Sequence, residues 1–211
     1  MRVIAGKLRG RRLRAPKGLG TRPTPDRVRE ALFAALGPVD GLRVLDLYAG
    51  SGALGIEALS RGADRVVMVE RSRAALDALR GNLAALELRA ASTVLATSVE
   101  RALPTIAQLG PYDLVLADPP YADVESGRVA PVLAQLLARA EVLAADARIV
   151  LEHAARNDPP TLGAVGLLRT RTYGDTALSL YAAVSPEAPA SSPGDAGSVA
   201  EPEAGPQERR L

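Results

Sequence analysis

Between Arg43 and Glu152, five short apolar runs alternate with four stretches of helical periodicity, and that alternation leaves few architectures open. Strands are predicted at 43–48, 65–70, 93–97, 112–117 and 148–152, and helices at 53–60, 72–86, 99–109 and 129–140. Repeated strand-helix-strand units build a mostly parallel sheet with right-handed crossovers and helices on both faces. The segments 167–173 and 177–184 flank Gly174-Asp175, a hairpin signal, so a seven-stranded sheet is predicted to finish antiparallel. Upstream, Thr24-Pro25-Asp26 opens a helix of about three turns, with Val28, Leu32 and Leu36 at helical spacing.

The first predicted strand runs into a glycine loop and then a helix: Leu45-Asp46-Leu47-Tyr48-Ala49-Gly50-Ser51-Gly52-Ala53-Leu54-Gly55. The loop satisfies the dinucleotide fingerprint, and Glu70 ends the next strand, twenty residues beyond Gly50, where a ribose-binding acid belongs. An NAD-dependent oxidoreductase is therefore one reading. Two features favour a methyl donor instead. Asp46 places negative charge just before the loop, which suits the cationic methionine end of S-adenosylmethionine and would repel a pyrophosphate. No second nucleotide-binding half follows. Tyr48, beside the loop, is expected to line the adenosine pocket, with Ser51 and Arg71 nearby. Ser98 opens the helix after the third strand and is most simply an N-cap, although a residue there also faces an adenine in folds of this kind.

Asp118-Pro119-Pro120-Tyr121 closes the run Tyr112-Asp113-Leu114-Val115-Leu116-Ala117, just past the carboxyl end of the fourth strand, where open α/β sheets place their chemistry. Each residue type there has a use for a planar amino group. The carboxylate accepts one N–H, the carbonyl of a proline-stiffened turn accepts the other, and the aromatic ring stacks on a base. A nucleobase amine is the expected acceptor.

Charge is distributed unevenly. The first thirty residues hold ten Lys/Arg against Asp26 and Glu30, a net +8, while the remainder carries −6 of the chain's total of +2. A basic end on a mildly acidic body suits a protein that grips a polyanion with one face. Three regions are expected within the 211 residues: a basic arm or hairpin at 1–23 that folds onto the body or orders on RNA, one catalytic domain at 24–184, and a Pro- and acid-rich tail at 185–211 without packed structure. The chain has no cysteine and one histidine, so no disulfide and no metal site is expected. His153, at the end of an apolar run, is expected in a solvated loop. No apolar stretch approaches the length needed to span a bilayer, and a cytoplasmic monomer is expected.

With these motifs in place the chain resembles the bacterial RsmD family. The likeness covers 2–184 and rests on Arg2-Val3-Ile4-Ala5-Gly6-Lys7, Arg9-Gly10-Arg11-Arg12-Leu13, Arg22-Pro23-Thr24, Asp26-Arg27-Val28-Arg29-Glu30, the glycine loop, Glu57-Ala58-Leu59-Ser60-Arg61 and Asp118-Pro119-Pro120-Tyr121. The resemblance implies a class I, Rossmann-like methyltransferase that uses S-adenosylmethionine to methylate the 2-amino group of a guanine in 16S ribosomal RNA of the small subunit. It further implies that Asp46, Gly50 and Gly52 hold the methionine side of the donor, Glu70 the ribose, and Asp118, Pro119, Pro120 and Tyr121 the guanine. Arg9, Arg11, Arg12, Arg22, Thr24, Arg27 and Arg29 are expected on the RNA. The chain departs from the family pattern at Ser98, where members often carry Asn or Asp. An adenine-N6 methyltransferase of DNA or RNA would share the Asp-Pro-Pro-Tyr turn and is the nearest alternative.

Overall fold

The computed structural model describes residues 1–16 and 25–183. Strands β1 (Arg43–Leu47), β2 (Arg65–Glu70), β3 (Ser92–Ala96), β4 (Tyr112–Ala117), β5 (Leu143–Ala154), β6 (Val165–Tyr173) and β7 (Thr176–Ala183) form one sheet. Their order is β3-β2-β1-β4-β5-β7-β6, and β7 alone runs against its neighbours. The helices are α1 (Asp26–Leu36), α2 (Ala53–Ser60), α3 (Arg73–Ala85), α4 (Val99–Leu109), α5 (Tyr121–Glu125) and α6 (Val129–Leu137).

Alternation along the strands decides which helices cover which face. Val44, Val66, Met68, Leu116 and Val150 pack in the layer of α1, α2 and α3. Leu45, Leu47, Val69, Val115, Ile149 and Leu151 pack in the layer of α4 and α6. Because both faces are buried, the strands read as continuous apolar runs. The helices complement them with apolar residues three and four apart, as in α4, where Val99, Ala102, Leu103 and Ile106 are all buried. Each large aliphatic side chain so buried contributes about 1.5–3 kcal/mol.

Several elements differ from the sequence expectation for identifiable reasons. β1 stops before Tyr48, whose φ of 59° is left-handed and turns the chain out of the ladder. β5 starts five residues earlier than predicted, at Leu143, because its first half (Leu-Ala-Ala-Asp-Ala) lacks the bulky alternation that marks a strand. It also continues to Ala154, held by pairing of His153 with Ala177 and Ala154 with Thr176 on β7. The expectation that His153 sits in a solvated loop is therefore wrong: it is fully buried, with Nε2 2.8 Å from the Ser179 hydroxyl. The short α5 was not anticipated.

The basic N-terminal segment lies on the body. Arg2 and Arg12 form an antiparallel bridge, and Val3 and Leu13 join the core of the α1–α3 layer. Glu57 of α2, fully buried, accepts the Ile4 amide at 2.7 Å and the Ala5 amide at 3.0 Å, and Ser60 carries the Leu8 amide on its hydroxyl at 3.0 Å. A second expectation fails here. Arg29, assigned to RNA, falls in the same helical register as Leu32, Phe33 and Leu36 and is fully buried. Its guanidinium donates to the Arg2 carbonyl at 2.6 Å and to Asp26 at 2.8 Å, so it ties α1 to the N-terminal segment and is not offered to a phosphate. Burial lowers its pKa, against the pull of Asp26 and Glu57. Arg22 and Thr24, and the predicted tail at 185–211, lie outside the described residues.

Candidate active site at the carboxyl ends of β1, β2, β4 and β5

Chain order reverses between β1 and β4, which makes their carboxyl ends the switch point of the sheet. The two exits are tied together: Leu47 pairs with Ala117, and the next amide, that of Asp118, donates to the Leu47 carbonyl at 3.4 Å. The glycine loop and the Asp-Pro-Pro-Tyr turn therefore leave the sheet side by side.

The loop from Tyr48 to Gly52 is wound through positive φ at Tyr48 (59°), Gly50 (57°) and Gly52 (82°). A Cβ on Gly52, the N-cap of α2, would fall 2.3 Å from the Leu79 methyl, so the loop both bends and packs too closely for a side chain. At Gly55 a Cβ would sit 3.0 Å from Asp46 Oδ2 and 2.6 Å from Met68 Cε, and its absence lets the first turn of α2 close over Asp46. The Gly55 amide donates to Asp46 Oδ2 at 2.9 Å. Asp46 is buried, and its Oδ1 has no hydrogen-bond partner among the described residues. Burial pushes its pKa up to about 8, with the charges of Asp118 and Glu70 adding to the rise. A cationic group delivered to Oδ1 would supply what the carboxylate lacks. The residues thus fit an amine-bearing cofactor.

Glu70 is held by backbone rather than by the neighbouring arginine side chains. Oε2 accepts the Gly50 amide at 2.8 Å, and Oε1 accepts those of Arg71 and Ser72 at 2.8 Å and 2.7 Å. One carboxylate thereby fixes the glycine loop against the exit of β2, and an ionised carboxylate has about four lone-pair sites in all, more than these three bonds use. Arg71 reaches across to Asp123 of α5, 3.6 Å away. Tyr48 is half-buried, and burial raises its hydroxyl to about 12, helped by Glu100 and Asp123. Ser98 occupies the N-cap position of α4 but makes no capping bond; its hydroxyl pairs with Glu100 and holds that carboxyl below the usual range. Ser51 is buried, and its carbonyl accepts the Asn82 side-chain amide at 2.9 Å.

On the acceptor side Asp118 is half-buried, Pro119 buried and Pro120 exposed at the start of α5. The Tyr121 hydroxyl lies 2.8 Å from the Thr176 hydroxyl and donates to Glu152 at 3.4 Å, which fixes the ring from its far end. Burial raises its pKa, opposed by the Thr176 bond and reinforced by Glu152 and Asp118. Arg9, Arg11, Arg12 and Arg27 are exposed, as a phosphate-gripping surface requires. Sequence reasoning missed Asn82, Glu152 and Thr176. Asn82 and Glu152 carried a signal, since each is a polar residue at a position where the local periodicity demands an apolar one.

Among the described residues no His, Cys, Asp and Glu side chains cluster as a metal site, and no helix is long and apolar enough to cross a membrane. A seven-stranded sheet with one reversed strand, a glycine loop after β1 and a carboxylate after β2 define a class I S-adenosylmethionine-dependent methyltransferase fold. The family model described as conserved hypothetical protein 95 matches residues 1–182, and the chain belongs to that family, the RsmD family. It is 40% identical over 184 residues to ribosomal RNA small subunit methyltransferase D of Escherichia coli, covering 86% of this chain and 89% of the relative. Haemophilus influenzae methyltransferase D is 34% identical over 185 residues, covering 86% and 93%. The solved structure of yhhF from Escherichia coli superposes with a TM-score of 0.73 at 38% identity, over 87% of this chain and 97% of that one.

Proposed function

We propose that this protein transfers a methyl group from S-adenosylmethionine to the 2-amino group of a guanine in small-subunit (16S) ribosomal RNA. The observation that carries this reading is the hydrogen bond from Asp118 to Leu47, because it sets the acceptor turn directly against the donor loop. The names borne by relatives at 40% and 34% identity supply the RNA.

S-adenosylmethionine supplies an electrophilic sulfonium methyl. Asp46 takes the amino end of its methionine moiety on Oδ1, Glu70 takes the ribose hydroxyls, and Tyr48 and Ser98 border the adenine. A guanine amine is a poor nucleophile because its lone pair is delocalised into the ring. The Asp118 carboxylate and the Pro119 carbonyl each accept one of its hydrogens, favour a pyramidal nitrogen and aim the freed lone pair. In this reading Asp118 also receives the proton that the nitrogen sheds after transfer. Tyr121 clamps the extruded base by stacking, a contact typically contributing about 1–3 kcal/mol. Arg9, Arg11, Arg12 and Arg27 hold phosphates and set the register of the RNA.

The deciding experiment is radiolabelled methyl transfer to small ribosomal subunits from cells lacking this gene, with the modified base identified by mass spectrometry. Label on the 2-amino group of a guanine is expected. Label on an adenine, or none, would replace this reading.

A further inference from the structure

The sheet runs β1, β4, β5, β7, β6 on one side of the switch point, so the donor loop, the acceptor turn and the β6–β7 hairpin succeed one another along its carboxyl edge. The hairpin turn lies at that edge because Thr176, at the start of β7, pairs with Ala154 at the end of β5. The Tyr121 hydroxyl reaches the Thr176 hydroxyl at 2.8 Å, and Thr176 pairs in turn with Tyr173, the last residue of β6. Directly opposed residues of an antiparallel pair point to the same face, with Cβ atoms about 5 Å apart. The half-buried Tyr173 ring therefore stands next to the group that anchors Tyr121, packed against the layer of α1. Arg171 opposes Leu178 on that same face, about 6.6 Å further down β6, and is exposed. Together with Leu32 and Ala35 of α1, Tyr173 and Arg171 line an open groove of about 300 Å³. Arg169 closes its lower end by donating to the Ala35 carbonyl at 2.8 Å. Arg27, Ala31 and Ala35 fall four apart along α1, so the exposed Arg27 heads the row that faces the groove.

We propose that the β6–β7 hairpin is a second RNA-contacting element, in which Tyr173 stacks on the base next to the extruded guanine and Arg171 takes the adjoining phosphate. This rests on the reading of small-subunit RNA as the acceptor and deepens it. Extruding a base unstacks its neighbour. An aromatic ring beside the pocket restores a stacking partner to that neighbour whatever its identity, and a guanidinium matches phosphate oxygens with two parallel donors. Charge selects a polyanion for this face: the hairpin at 165–183 carries Arg169 and Arg171 against Asp175 alone. The ion pairs among the described residues include neither arginine. The basic N-terminal segment and the hairpin would then hold the RNA from two sides of the acceptor turn.

The test measures binding of small ribosomal subunits, taken from cells lacking this gene, in the absence of donor, and methyl transfer to them separately. Tyr173→Leu keeps apolar bulk against α1 but removes the ring, and should raise the Kd for subunits and the KM by about 5- to 100-fold. Tyr173→Phe restores the ring and should recover most of that loss. Arg171→Gln should lower the slope of log Kd against log salt by about 0.7, the value for one phosphate of a single strand. Affinity for S-adenosylmethionine, which reports an intact fold, should stay within twofold of wild type throughout. If Tyr173→Leu binds subunits as tightly as the wild type, or Arg171→Gln keeps the full salt slope, the assignment is overturned. If the variants bind subunits weakly but protein-free 16S ribosomal RNA normally, the hairpin meets a ribosomal protein and the assignment falls. A wild-type protein that labels no guanine refutes the reading of the reaction instead, and the Kd for subunits still decides the role of the hairpin.

Discussion

The side-chain amide of Asn82 donates to the Ser51 carbonyl at 2.9 Å while also holding Arg14, accepting its amide at 2.8 Å and donating to its carbonyl at 3.1 Å. One buried residue of α3 therefore joins the basic N-terminal segment to the glycine loop. Asn82→Ala leaves three backbone groups without partners at a position only 2% exposed. It should lower stability by about 1–3 kcal/mol in denaturant unfolding and raise the Kd for S-adenosylmethionine in calorimetry. Unchanged values for both would mean that water replaces the amide at no cost.

Asp46 should make the free protein pH-sensitive. Its folded pKa, about 8, lies above the ordinary carboxyl value of 3.8, so the folded state binds the extra proton between the two. The unfolded chain then releases protons that the fold retains, and the contribution of Asp46 to stability declines as pH rises from about 4 to about 8 before levelling off. Asp46→Asn should remove that segment of the stability curve. Binding of a cationic donor favours the ionised carboxylate, so affinity for S-adenosylmethionine should increase with pH up to about 8 in the wild type and become flat over the same range in Asp46→Asn.

Asp118→Ala tests the acceptor turn apart from the donor loop, because the bond joining the two is made by the Asp118 backbone amide and survives the substitution. The loop amides of Gly50 and Gly55 are held by Glu70 and Asp46. Turnover should drop by about 100- to 10,000-fold with donor affinity within threefold of wild type. Glu70→Gln should show the opposite pattern, a weaker donor Kd, because an amide cannot accept the three backbone N–H groups that the carboxylate holds.

Replacing Arg9, Arg11 and Arg12 with Gln should weaken binding to small-subunit RNA without altering donor affinity. All three are exposed, and the Arg11 guanidinium donates to the Ala85 carbonyl at 3.2 Å. If each neutralises one phosphate, the slope of log Kd against log salt should fall by about 2 to 3. Arg29→Gln should act differently, lowering thermal stability by removing a buried cation from Asp26 and the Arg2 carbonyl.

The strands and helices were legible because periodicity is local: Val99, Ala102, Leu103 and Ile106 announce α4 without reference to any other element. The glycine loop and Asp118 were legible for the same reason, as spacing within one strand and its turn. What the chain order could not reveal were facts that depend on distant partners. His153 looked solvent-facing until β7 extended the ladder beyond it and Ser179 met its ring. Arg29 looked like one more cation of a basic run, but helical phase turned it inward onto Asp26 and the carbonyl of Arg2. The orphaned oxygen of Asp46, the three amides on Glu70 and the placing of Glu152 beside Tyr121 were likewise decided only in three dimensions. Local sequence determines which side chains a turn or strand presents, through steric preference and apolar periodicity. Which groups then lose water and which find partners depends on elements brought together across the sheet, and that desolvation gives the same residue types their different chemistry.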